Sequence, residues 1–319
     1  MKKMSKLNIL IIFFALNVSG QTPIVTDMFT ADPAPLVVGD TLYLYTGHDD
    51  DNAPDDKYVM KDWKLFTTVD MVNWEYRGTP LKTTDFIWSN GDANAAQCIE
   101  RDGKYYWYVS VTSKFDPGVA VGVAVSNSPV GPFSDPLGKP LVINSQTTFA
   151  SHSWDDLDPT VFIDNDGQAY LYWGNNALYM AKLNRDMISI DGDIQAFDIF
   201  DKDQFGEDFE EAPWVYKRGG EYYMIFASGL PESIHYSMSD SPEGPWKYKG
   251  IIMDVIGNTH TNHPGIVDFK GESFFFYHDS SLPGSNDKRR NICVERFKYN
   301  KDGTIPVIIP GKGVTKRVR

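Results

Sequence analysis

Cysteine is nearly missing from this sequence. The two thiols, Cys98 and Cys293, are too few for the disulfide framework that staples small extracellular folds. Each lies in a strand-like apolar pattern (AAQCIE, NICVERF), where a thiol serves as a small buried hydrophobe. Long apolar runs are equally scarce. The run from Leu7 to Val18 is too short to cross a bilayer comfortably, and no second one follows, so a membrane-embedded chain is not expected. Positive charge is in the minority, with 30 Lys and Arg against 43 Asp and Glu and a net charge of −13. Such a surface repels nucleic acid and anionic lipid, and suits a neutral glycan better than a polyuronate. Stretches with a 3.6-residue apolar period are absent too, which argues against a helical fold.

The first twenty residues, MKKMSKLNILIIFFALNVSG, join a basic start, a short apolar core and a small-residue end, the pattern of a secretory signal. Residues 1–20 are therefore expected to be a signal peptide, and residues 21–319 a single mature domain that is secreted or periplasmic. No cysteine follows Gly20, so a lipid anchor at the new terminus lacks an acceptor and no membrane anchor is expected. Losing Lys2, Lys3 and Lys6 leaves the mature chain three units more negative.

One hairpin recurs five times: DPAPLVVGDTLYLYTG from Asp32, AAQCIERDGKYYWYVS from Ala95, DPTVFIDNDGQAYLYWG from Asp158, EAPWVYKRGGEYYMIFAS from Glu211 and HPGIVDFKGESFFFYHDS from His263. Each copy runs from an apolar strand through a Gly-bearing turn into a strand rich in Tyr, Phe and Leu. Further turns follow at Asp70–Trp74, Ser128–Phe133 and Ser241–Trp246, with a weaker counterpart at Leu183–Ile188. Five similar units of short strands predict an all-β, five-bladed β-propeller rather than a two-sheet jelly roll, which has no reason to repeat. The acidic stretch from Gly47 to Lys61 is expected to be a solvated loop.

Equivalent positions in radial repeats lie on a ring about the axis. The first residues of the five copies are Asp32, Ala95, Asp158, Glu211 and His263, so three acids and a histidine converge. Glycoside hydrolysis needs one protonated carboxyl for the leaving oxygen and one ionised carboxylate opposite it. An aromatic content of 14 % supplies rings for stacking against sugar faces. An Asp before Pro often only caps a turn, but capping does not place three acids at one register.

These residues resemble glycoside hydrolase family 43, which includes β-xylosidases, α-L-arabinofuranosidases and arabinoxylan arabinofuranohydrolases. The resemblance rests on TADPAPLVVGDTLYLYTGHDD, MKDWKLFTTVDMVNWEYRG, DLDPTVFIDNDGQAYLYWGN, EAPWVYKRGGEYYMIFAS and TNHPGIVDFKGESFFFYHDSSLPG, and covers nearly all of the mature chain. It implies an inverting hydrolase that releases terminal or side-chain arabinofuranose or xylose from a plant cell-wall hemicellulose, without an organic cofactor. It implies Asp32 as general base, Glu211 as general acid and Asp158 as the residue that orients the acid. It further implies Arg290 as a sugar-binding group, against the alternative of a structural ion pair, and His263 as a water-mediated holder of a calcium ion on the axis. Asn175 is a further sugar-binding candidate.

Two departures stand out. Where members of the family carry DAWAAQ, this chain has Asp92-Ala-Asn94-Ala-Ala-Gln97, so an aromatic wall is missing. Trp88 is the candidate replacement, unless it belongs to the core. A doubled acid, Glu210-Glu211, stands where a single one is usual; the spacing to Pro213 and Trp214 favours Glu211. The competing functions are a non-catalytic glycan-binding propeller and an endo-arabinanase of the same family. The retaining fructan-cleaving propellers are disfavoured, because their Asn-Asp-Pro, Arg-Asp-Pro and Glu-Cys signatures are absent.

Overall fold

A computed structural model describes residues 23–319; the expected signal peptide lies outside them. Five antiparallel sheets follow one another along the chain and form the blades of a propeller. The first holds β1 (Thr30–Val38), β2 (Thr41–Asp49), β3 (Met60–Thr68) and β4 (Glu75–Lys82). The second holds β5 (Ser89–Arg101), β6 (Lys104–Ser113) and β7 (Val119–Ser126). The third comprises β8 (Thr160–Ile163), β9 (Ala169–Trp173), β10 (Tyr179–Leu183) and β11 (Ile190–Ala196). The fourth comprises β12 (Phe209–Arg218), β13 (Glu221–Ser228), β14 (Ser233–Ser239) and β15 (Lys247–Met253). The fifth has β16 (Gly265–Phe269), β17 (Glu272–Asp279) and β18 (Asn291–Phe297).

The repeated hairpin is the first strand pair of every blade. Its turns use left-handed glycines, for instance Gly103 at φ 76° and Gly271 at φ 78°, which a side chain would strain. The four further turns expected from sequence precede β4, follow β7, and precede β11 and β15.

Alternation along the strands buries apolar side chains on both faces, and these pack between neighbouring blades. Tyr108 and Val121 meet Leu171 and Trp173 between the second and third blades; Leu42 and Leu44 meet Phe274 and Phe276 between the first and fifth. Tyr45 and Trp107 touch edge to face at 4.7 Å between the first two. Cys98 and Cys293 are free and buried, as expected.

The ring closes where the chain entering β1 hydrogen-bonds the start of β18 and the residue before it. The amides of Ile24 and Thr30 donate to the carbonyls of Ile292 and Arg290 at 2.8 and 2.9 Å. This joint sets Asp32 of the first blade beside Arg290 of the fifth. The basic C-terminal segment, which its charge suggests is frayed, is instead docked. Glu295, 3 % exposed, accepts the amides of Gly311, Lys312 and Gly313, and Val318 is buried with its amide on the Asp70 carbonyl.

Candidate active site

Three inner strands begin with a kink at the same end of the ring. Asp32, Asp158 and Ala212 each precede a proline and hold positive φ, at 54°, 59° and 57°. A non-glycine residue there is strained by about 1–3 kcal/mol, and such strain gathers where side chains must be aimed. In β1 and β12 the kink coincides with register shifts against the neighbouring strand, a bulge that turns side chains towards the axis. Glu211 is therefore not at the backbone position of Asp32 and Asp158, but one residue upstream of it.

The three acids nevertheless share one cavity of about 150 Å³, lined also by Tyr58, Asn94, His263 and Arg290. A larger hollow beside β14 and β15 holds none of these acids. The cavity is half open to solvent, and its volume of about 150 Å³ matches one that holds a single six-membered ring. Asn94, which stands where the family pattern has tryptophan, does face this cavity.

Asp32 is 6 % exposed and its Oδ1 receives Arg290 Nη1 at 3.1 Å. Burial raises its pKa to about 6, against the pull of the guanidinium. Gly47 lets this carboxylate lie against β2: a Cβ there would stand 3.2 Å from Asp32 Oδ2 and 2.5 Å from Met60 Cε. Arg290 is gripped by Asp49, with Nε–Oδ2 at 3.0 Å and Nη2–Oδ1 at 2.9 Å. Both readings of Arg290 thus find support, since it forms a buried ion pair and also lines the cavity.

Asp158 is 5 % exposed, and its Oδ2 accepts the Ala212 amide at 3.1 Å, which ties it to the peptide following Glu211. Burial, then the charges of Glu211 and Asp32, push its pKa well up. Burial also raises Glu211, opposed by hydrogen bonds from Asn175 Nδ2 and Glu232. Asn175 thus reaches the acid itself. Glu210 bonds Asn176 Nδ2 at 2.6 Å and stays apart from the trio.

Trp88 does not replace the missing wall. It is fully buried, donates Nε1–H to Asp135 Oδ2 at 3.0 Å, and packs so tightly on Gly122 that a Cβ there would sit 2.6 Å from its ring. It is a core residue.

The sequence reading missed Asp49, Tyr58 and Glu232. The stretch read as a solvated acidic loop delivers Asp49, completely buried, and Tyr58, whose ring lies 5.0 Å from the Arg290 guanidinium. A buried arginine requires counter-charges, and that requirement was the available signal. Glu232, 2 % exposed in the turn between β13 and β14, accepts the Asn262 amide and is hydrogen-bonded to Glu211. Nothing in its local sequence marks it.

His263 stands with Nδ1 3.9 Å from Asp158 Oδ2, and burial lowers its pKa to about 3, so it is a neutral imidazole. Among the described residues no group of three or more His, Cys, Asp or Glu side chains is placed to hold a metal ion. Calcium takes six to eight oxygen ligands, so these residues fit that ion only if water supplies most of its shell.

Residues 21–305 match the model of glycosyl hydrolases family 43. A xylosidase/arabinosidase of Bacteroides ovatus is 31% identical, over 89% of this chain and 96% of that protein. Among solved structures, a family 43 β-xylosidase/α-arabinofuranosidase from a compost microbial metagenome, in complex with xylotriose and in a calcium-free form, superposes with a TM-score of 0.80. It is 29% identical, over 91% of this chain and 97% of that one. An α-L-arabinofuranosidase from Clostridium thermocellum is 32% identical with a TM-score of 0.74, over 92% and 97% of the two chains.

Proposed function

The chain belongs to glycosyl hydrolases family 43, and from that premise we propose that it releases single pentose units, xylose or arabinofuranose, from a hemicellulose such as arabinoxylan. The observation that carries this reading is one cavity, sized for one ring, that gathers Asp32, Asp158 and Glu211.

Asp32 acts as general base. It is ionised above about pH 6, and Arg290, itself locked by Asp49, fixes its orientation. Glu211 acts as general acid, kept protonated by burial and aimed by Asn175 and Glu232. In the single displacement, a water oxygen attacks the anomeric carbon as the glycosidic C–O bond breaks. Glu211 gives its proton to the leaving oxygen while Asp32 takes one from the water. Asp158, bonded to the Ala212 amide, holds the backbone beside the acid, and its negative charge raises the acid's pKa when it is ionised. His263 is the residue that would hold a water-shelled calcium ion, whose charge would favour the ionised carboxylates nearby.

A pocket that takes one ring favours action at chain ends or side chains over cutting within a polymer. The leader-like first twenty residues support action in the periplasm or the medium. The test is hydrolysis of nitrophenyl pentosides and arabinoxylan, with product analysis and proton NMR of the first-formed anomer. Free pentose of inverted configuration is expected; internal oligosaccharides or a retained anomer overturn the reading.

A further inference from the structure

A pocket holding one ring leaves the rest of the substrate outside, and the leaving part must depart on the side of the group that protonates its oxygen. That side is identifiable. Six aromatic side chains are markedly exposed among the described residues, and four of them lie on the connections nearest Asp158 and Glu211 in the chain: Phe115 between β6 and β7, Phe149 and Trp154 before β8, and Phe200 before β12. Phe200 is 76 % exposed and Trp154 53 %. Phe149 and Phe200 are stacked at 6.2 Å with planes 26° apart, although they come from the connections entering β8 and β12. Trp154 is stacked on His152 at 4.3 Å, three residues before the pocket-lining Leu157.

The rings are anchored to the acid through one buried layer. The Phe149 amide donates to Tyr179 Oη at 3.1 Å, and that hydroxyl donates to Asp155 Oδ2 at 2.6 Å. The Asn175 amide reaches the Asp155 carbonyl at 3.1 Å, and the Asn175 side chain holds Glu211. The loop carrying Phe115 is tied to the same layer, since Asp116 accepts the Ser145 amide at 2.9 Å and the Val119 amide donates to the Ser153 carbonyl at 2.7 Å. Hydrogen bonds thus place the backbone at Phe149 and beside Trp154, and Phe200 stacks on Phe149, where a surface needing only solubility would carry polar groups.

We propose that Phe149, Phe200 and Trp154 form a platform that binds the main chain of a neutral hemicellulose on the leaving-group side of Glu211. Flat apolar faces of successive sugar units lie on these rings, and the net negative charge of the protein suits a neutral chain rather than an acidic one. The proposal rests on the pentose-releasing reading above and adds which part of the substrate the protein grips outside its pocket.

The test compares Phe200→Ala and Trp154→Ala with wild type on two substrates and in one binding assay. On soluble arabinoxylan, kcat/KM falls about tenfold in each variant through a raised KM. On a nitrophenyl pentoside, whose leaving group has no sugar main chain to lie on the rings, it stays within about twofold of wild type. In native gels containing arabinoxylan, wild type is retarded and the variants run freely. Equal losses on both substrates, or variants retarded as strongly as wild type, overturn the platform. Wild type inactive on every pentoside but retarded in the gel instead overturns the catalytic reading and leaves the platform supported. If Trp154→Ala fails to fold, Phe200→Ala decides alone, its ring being mostly in solvent.

Discussion

Glu232 presses a second buried carboxyl against Glu211, and two acids in hydrogen-bond contact hold a proton between them rather than two charges. Burial and the charge of Glu211 raise Glu232 well above its ordinary range, so it is the partner that donates. Glu210, Asp32 and Asp158 add further negative charge around this pair. Replacing Glu232 by Gln keeps the volume and a donor but removes the ionisable group. The amide is a weaker donor than the carboxyl whose hydrogen bond lowers Glu211, so Glu211 then keeps its proton to higher pH. The alkaline limb of the kcat/KM profile should move up by as much as about one pH unit, roughly 1.4 kcal/mol of interaction, while the acid limb set by Asp32 near 6 stays in place. An alkaline limb that stays fixed or moves down contradicts this account.

The kinks opening the inner strands explain what the sequence disclosed and what it concealed. Asp32-Pro33, Asp158-Pro159 and Ala212-Pro213 are visible in the sequence, and the first residues of the repeated hairpin located the ring of acids. The left-handed backbone at these residues was not visible, because the residue before proline usually prefers extended geometry. For that reason Glu211 aligned with the two aspartates by spacing, although it occupies a different backbone position. Asp49 was misread, and Trp88 was left between wall and core, on a common principle: a side chain's exposure depends on which blade packs over it, and local polarity does not report that. The docked tail is a third case, where Glu295 supplies an acceptor for three consecutive amides. Removing residues 311–319 strips those donors from a buried carboxylate, which costs about 1–3 kcal/mol or more for a charged group. The melting temperature of the shortened chain should fall by several degrees with the pocket chemistry intact, as calorimetry and pentoside assays would register; an unchanged melting temperature would show the docking to be idle.

At the scale of the whole molecule, buried acids dominate the response to pH. Asp32 and Asp156 titrate near 6 and 7, and Asp158, Glu211 and Glu232 are likewise raised by burial. A carboxyl whose folded pKa exceeds its unfolded value stabilises the fold below the unfolded value, near 4, and that contribution is lost as pH rises through the folded one. The buried histidines His235, His263 and His278 act oppositely, favouring the fold as pH climbs towards 6.5. The two sets offset each other between about pH 4 and 6.5; above that only the carboxyls still titrate. Calorimetry should therefore find the melting temperature declining by a few degrees between pH 6.5 and 8, and a rise across that window would refute the assignment of protonated acids. All of this follows from blades that carry Asp32, Asp158 and Glu211 to one pocket, and the catalytic meaning of that convergence can be measured directly. Turnover of an arabinoxylo-oligosaccharide by Glu211→Gln, alongside calorimetric binding of the same sugar, is the decisive comparison. The account predicts a kcat about 10²- to 10⁴-fold lower with affinity retained; a kcat within a few-fold of wild type would mean that Glu211 is not the acid and that the pocket binds sugar without the chemistry argued for it.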